Sequence, residues 1–173
     1  MKRTLGLLIV LGLVMNFGQS APAIAAAPYD ASSVMFAQMM IPHHQQAVLI
    51  SRWALKQSSN PAVKNLASRI IGEQSPEIAQ MKKWIPSTAM TGMDMPMQGI
   101  VGPSDLAKLQ AARGKKFDGL YLVDMTLHHQ GSIAMATPLM KSMNSEVASL
   151  CRSIVVGQSA EIKEMHRIMV TGK

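Results

Sequence analysis

At 173 residues the chain is about one domain long, and its 48% hydrophobic content suffices for a core without covalent staples. A formal charge of +7 with only seven aromatic residues excludes a stacking platform for bases, so nucleic acid is not an expected partner. The one cysteine, Cys151, excludes an internal disulfide and is expected to be buried.

The first 25 residues read as an export signal. Lys2 and Arg3 form a charged end, and Leu5 to Phe17 is an uncharged, mostly apolar run. The run is short for a membrane span of about 20 residues. Ala23-Ile24-Ala25 supplies a small-residue cleavage site, which places the cut after Ala25. The mature chain, residues 26–173, is then a single periplasmic or secreted domain with no membrane insertion. Losing Lys2 and Arg3 lowers the charge to +5.

The elements that follow are helical. Asp30 or Ser32 caps a first helix over 33–57, with Pro42 inside it as a source of a kink. Ser58-Ser59-Asn60-Pro61 is a turn with Asn60 as cap and Pro61 at the first helical position. It opens a second helix that runs to about Ile85 and is closed by Pro86. Residues 33–85 thus form a first hairpin. A linker over 86–104 is rich in Met, Gly and Pro. Ser104 caps a short helix over 105–113, stopped by Gly114. A long helix follows over 116–142, with a kink at Pro138, and Asn144 caps a last helix over 145–170. The short helix and second hairpin together fill 105–170.

The two hairpins repeat each other. Met40, His43, His44 and Gln45 recur 85 residues on as Met125, His128, His129 and Gln130. Gln74, Glu77, Ile78 and Met81 recur 84 residues on as Gln158, Glu161, Ile162 and Met165. The slip of one residue falls in or near the turn, where insertions are cheap. One hairpin cannot bury its apolar stripe alone, so the two pair into an all-α four-helix bundle.

The repeated residues carry chemistry. Positions three or four apart share a helix face, so Met39 and Met40 lie one turn before His43 and His44, and Met125 lies beside His128 and His129. Gln-x-x-Glu-Ile-x-x-Met forms one face of the second helix in each hairpin. There Gln74, Glu77, Gln158 and Glu161 can orient imidazoles, and Met81 and Met165 can serve as ligands. Consecutive positions point about 100° apart, which puts one His of each pair toward the core and the other toward a groove. Thioether sulfur with imidazole nitrogen favours Cu(I), and by the same softness Ag(I), over calcium, magnesium or manganese. Cu(II) can use the imidazoles with Asp124, which stands where the first repeat has Met39. Four more methionines, Met90, Met93, Met95 and Met97, crowd the linker, where no helical stripe explains them and capture of metal does. Structural zinc would want cysteines that are absent. A ferritin-like di-iron site would want a glutamate three residues before a histidine, and neither glutamate stands there. His166, whose counterpart is Lys82, is expected in solvent.

MMIPHHQQA with QSPEIAQM, and DMTLHHQGSIAMA with QSAEIKEM, resemble the bacterial family labelled domain of unknown function 305, over nearly all of the mature chain. The resemblance implies a ferritin-like four-helix bundle and an exported copper-binding protein for copper tolerance or trafficking, not an enzyme. Its partners would be copper ions and another copper-trafficking protein. It points to Met40, His43, His44 and Met81 in the first repeat and to Met125, His128, His129 and Met165 in the second. Asp124 in place of Met39, and Gly131 in place of Gln46, are departures that make the two halves unequal. The alternatives are a copper-dependent oxidoreductase, which needs an open coordination position beside a substrate pocket, and a bundle holding haem non-covalently through His and Met.

Overall fold

The computed structural model describes residues 28–87 and 97–173. The expected export signal and three of the linker methionines, Met90, Met93 and Met95, lie outside the described residues. Five α-helices follow in order: α1 (Ala31–Gln57), α2 (Pro61–Lys82), α3 (Pro103–Ala111), α4 (Gly114–Ala136) and α5 (Ser145–Thr171). No strand occurs among the described residues, and none of these helices is long and apolar enough to cross a membrane.

The helix starts follow their caps. The Asp30 carboxylate accepts from the Ser33 N–H, Asn60 from the Ala62 N–H, and Asn144 from the N–H groups of Glu146 and Val147. Each satisfies donors that the first turn leaves without an intrahelical partner. Asn60 and Asn144 are repeat equivalents, so both hairpins turn on the same device.

Several boundaries differ from expectation. The short helix begins at Pro103, not after Ser104; Gly102 is its cap position and makes no side-chain cap bond. Proline at the first helical turn lacks only an N–H that would be an orphan there. Gly114 opens α4 rather than merely stopping α3, and its φ of 56° makes the reversal between them. Pro138 ends α4 instead of kinking it: regular helix stops at Ala136 and tightens into a 3₁₀ turn over Thr137–Leu139. The proline ring has no N–H to continue the ladder. α2 likewise stops at Lys82, three residues before Ile85. Pro42, by contrast, sits inside α1, which continues on both sides of it.

α1 packs along α2 and α4 along α5, giving the two hairpins, which meet chiefly through α1 against α4. α2 and α5 touch far less, and a groove lined by Glu73, Glu77, Arg152 and Val156 runs between them. The core has two apolar halves. One gathers Ile50, Leu66, Ile70, Phe117, Tyr121, Met125 and Met165 beneath Leu106 and Leu109 of α3. The other gathers Phe36, Met40, Met81, Trp84, Leu150 and Ile154. Full burial of such side chains stabilises by roughly 1.5–3 kcal/mol each. Cys151 is buried in the second half as expected, and burial pushes its thiol up to about 12.

Candidate metal centre

The two His-His pairs meet between the apolar halves. All four imidazoles are 0% exposed, so neither member of either pair faces a groove. The reason is that each carrier helix has two neighbours. α1 is covered by α4 and by α2, so His43 turns toward α4 while His44 turns toward α2. α4 is covered by α1 and α5, and His128 and His129 divide in the same way. The 100° between consecutive positions is taken up by two different interfaces rather than by core and solvent.

His43 and His128 face each other across the hairpin boundary, with ring centroids 3.7 Å apart and planes at 40°. His44 Nε2 lies 2.9 Å from Glu77 Oε2, and His129 Nε2 lies 2.8 Å from Glu161 Oε2. A carboxylate only accepts, so each Nε2–H donates, and in the neutral ring the lone pair sits on Nδ1. His43 Nε2–H donates to the Gln98 carbonyl at 3.1 Å, with the same consequence. The Nδ1 atoms of His43, His44 and His129 are buried with no hydrogen-bond partner among the described residues, and His128 has none at either nitrogen. Buried polar groups are nearly always paired, so four such rings in one layer constitute an unusual concentration of uncommitted lone pairs. No three His, Cys, Asp or Glu side chains of the described residues meet around a single point.

Burial sets the charge of the facing pair. It pushes the His43 imidazole down from 6.5 to about 4, against the pull of the Gln98 carbonyl, and drives His128 well below its usual value, helped by neighbouring His43. Both rings are therefore neutral near pH 7, the form that can ligate.

Four thioethers flank the layer. Met40, Met81, Met125 and Met165 are all 0% exposed, the first pair in one apolar half and the second in the other. One of the sulfurs is already engaged: Ser132 Oγ donates to Met40 Sδ at 3.2 Å, whereas the Thr126 hydroxyl beside Met165 donates to the Leu122 carbonyl at 2.7 Å. Gln74 and Gln158 are buried too, and neither amide oxygen nor nitrogen of either finds a partner among the described residues. The remaining expected residues lie elsewhere. Met39 lines a cleft at the surface with Met35 and Met135. Asp124 is partly buried, its carboxyl raised by burial and then by Asp105 of α3. Met97 begins the turn that leads to Gln98. His166 is exposed, as expected.

The sequence pattern did not reveal the part played by the end of the linker. Gln46 clamps it, donating to the Val101 carbonyl at 2.9 Å and accepting from the Val101 N–H at 2.8 Å. Across the bundle Gly131 lets it lie flat on α4: a Cβ there would stand 1.9 Å from the Gln98 carbonyl oxygen. Gly99, at φ 80°, completes the approach, since its own Cβ would meet the Leu127 carbonyl at 2.5 Å. Gln46 and Gly131 are repeat equivalents. Their mismatch was visible in the sequence as a departure, and its cause is that one linker must seat on both.

The chain resembles a DUF305 protein from Streptomyces coelicolor at 29% identity, covering 80% of this chain and 91% of that one with a TM-score of 0.73. A DUF305 fragment from Deinococcus radiodurans is 30% identical, with 82% and 97% covered and a TM-score of 0.73. CopM in its Cu(I)-bound form is 33% identical, with 78% and 93% covered and a TM-score of 0.64, and CopM structures with Cu(II) and with Ag bound are similar to this chain as well. A mimivirus protein, L153 of Acanthamoeba polyphaga mimivirus, is 43% identical over 42 residues, which is 24% of this chain and 28% of that protein. The family model described as domain of unknown function (DUF305) matches residues 33–169, and the chain belongs to that family of helical bundles.

Proposed function

We propose that this protein is an exported, non-catalytic copper carrier that takes up Cu(I), and Ag(I) with it, at the four-histidine layer, for copper tolerance or for transfer to another trafficking protein. The observation that carries the reading is the set of buried imidazole nitrogens without partners among the described residues, presented from both hairpins between four buried thioethers. Such a set suits a soft monovalent ion that accepts few ligands and tolerates nitrogen and sulfur together. Copper here is cargo. His43, His44, His128 and His129 would supply nitrogen, with Met40, Met81, Met125 and Met165 at hand for sulfur. Glu77 and Glu161 would fix the tautomers of His44 and His129 and offset the charge of an ion taken out of water. The similarity to CopM, crystallised with copper and with silver, supports the same reading.

The test is an anaerobic Cu(I) competition titration against a chromophoric chelator. Tight binding is expected in the native protein. It is expected to weaken sharply in His43→Ala/His44→Ala and in His128→Ala/His129→Ala. Unchanged affinity in both double variants, with folding checked by circular dichroism, would remove the reading.

A further inference from the structure

We propose that Met35, Met39 and Met135 form a second, outer site for a soft monovalent ion, Cu(I) or Ag(I). The three thioethers line one cleft of about 280 Å³ between the start of α1 and the end of α4, with Phe36, Pro138 and Leu139. Met35 and Met39 are one turn apart on α1 and share a face. Met135 reaches the cleft from α4. Met35 is 44% exposed and the other two are partly exposed, whereas Met40 and Met81 are fully buried. Among the described residues, no carboxylate, imidazole or thiol lines the cleft. Thioether alone is a poor ligand for hard or borderline ions and a good one for Cu(I) and Ag(I).

The repeat provides an internal control. The equivalents of Met35, Met39 and Met135 in the other half are Leu120, Asp124 and Ile50. Those of Phe36 and Pro138 are Tyr121 and Trp53. There the surface is roofed: Ile50 and Tyr121 are buried and Leu120 and Trp53 half-buried, in one apolar cluster with Leu106 and Leu109 of α3. Where α3 covers the site, two of the three methionine positions carry the branched aliphatics of an ordinary core. Where no described element covers it, all three are methionine. Met135 packs against the second apolar cluster, whereas Met35 and Met39 belong to neither cluster. The outer site also lies next to the inner layer. Met39 opens on the cleft, while Met40, the next residue, is buried with its sulfur on Ser132.

This site does not depend on the histidine layer, and its test reads the two separately. Protein labelled with ¹³C at the methionine methyl groups is titrated with Ag(I) and followed by NMR, together with the histidine ring signals. The methyl signals of Met35, Met39 and Met135 are expected to shift together. A Met35→Leu/Met39→Leu/Met135→Leu variant, which nearly conserves volume, is expected to bind one equivalent of Ag(I) fewer while the histidine signals respond as before. Methionine shifts without histidine shifts would uphold the outer site and count against the inner one. Methyl signals that stay in place at excess Ag(I) would overturn the proposal, as would an unchanged number of equivalents in the folded triple variant.

Discussion

His43 and His128 are held neutral because the bundle offers them no water and little compensating charge. This has a consequence for stability with a definite sign. In the unfolded chain each ring takes up a proton near pH 6.5, whereas folded His43 resists protonation until about pH 4 and folded His128 also titrates well below its usual value. The unfolded state therefore binds more protons in that window, and stability falls as pH falls from about 6.5 toward 4. For His43 alone the loss is on the order of 3 kcal/mol. Urea unfolding of the metal-free protein at pH 7.5, 6 and 5 checks this; a flat midpoint across the range would contradict it. At this scale the sequence was informative about identity and less so about direction. Four histidines at matched positions beside methionines and Gln-x-x-Glu could be read directly as one set. That both members of each pair are buried could not, because it depends on α1 and α4 each having two partner helices. Residue spacing reports the angle between side chains, not how many neighbours surround the helix.

Among the elements, the linker end shows most clearly what the pattern could and could not carry. Helix starts were legible at Asn60 and Asn144 because a cap is local chemistry. The ends near Pro138 and Ile85 were less so, since a proline stops a helix or bends it according to what tertiary contacts hold the other side. The seat of the Gln98–Val101 turn involves residues more than 50 positions apart, Gln46 with Val101, and no periodicity announces such a contact. Gly131→Ala is expected to cost about 1–3 kcal/mol, because the added methyl would enter the space of the Gln98 carbonyl. Amide exchange at Val101 should rise at the same time. Gly72→Ala is the matched control: nothing lies within 4 Å of its Cβ, and removing a helical glycine should stabilise by about 0.5–1 kcal/mol. If both variants lose the same stability, the close seat on Gly131 has no energetic role.

For the whole molecule, the internal repeat was the strongest signal, and it correctly implied paired hairpins and an all-α bundle. What it concealed was the inequality of the halves: α3 roofs one apolar cluster and leaves the equivalent surface of the other open. The same architecture predicts linkage between cargo and stability. An ion that binds the folded layer and not the unfolded chain adds RT ln(1 + [L]/Kd), about 2.7 kcal/mol at a free concentration of 100 Kd. Anaerobic Cu(I), or Ag(I), should raise the thermal midpoint of the native protein. The rise should vanish when His43, His44, His128 and His129 are all replaced, provided that variant still melts cooperatively.

The facing of His43 and His128 across the hairpin boundary reaches beyond affinity. Each half of the chain brings one ring of that pair, while Arg69 of α2 pairs with Glu164 of α5 and Gln80 of α2 donates to Glu146 of α5 at the far edge. An ion shared by the two rings would act as a rivet through a seam. It would resist the hairpins sliding or parting while leaving each hairpin as stiff as before. Release of the cargo then need not require unfolding of any helix. A small separation of the two halves would break the shared bonds first.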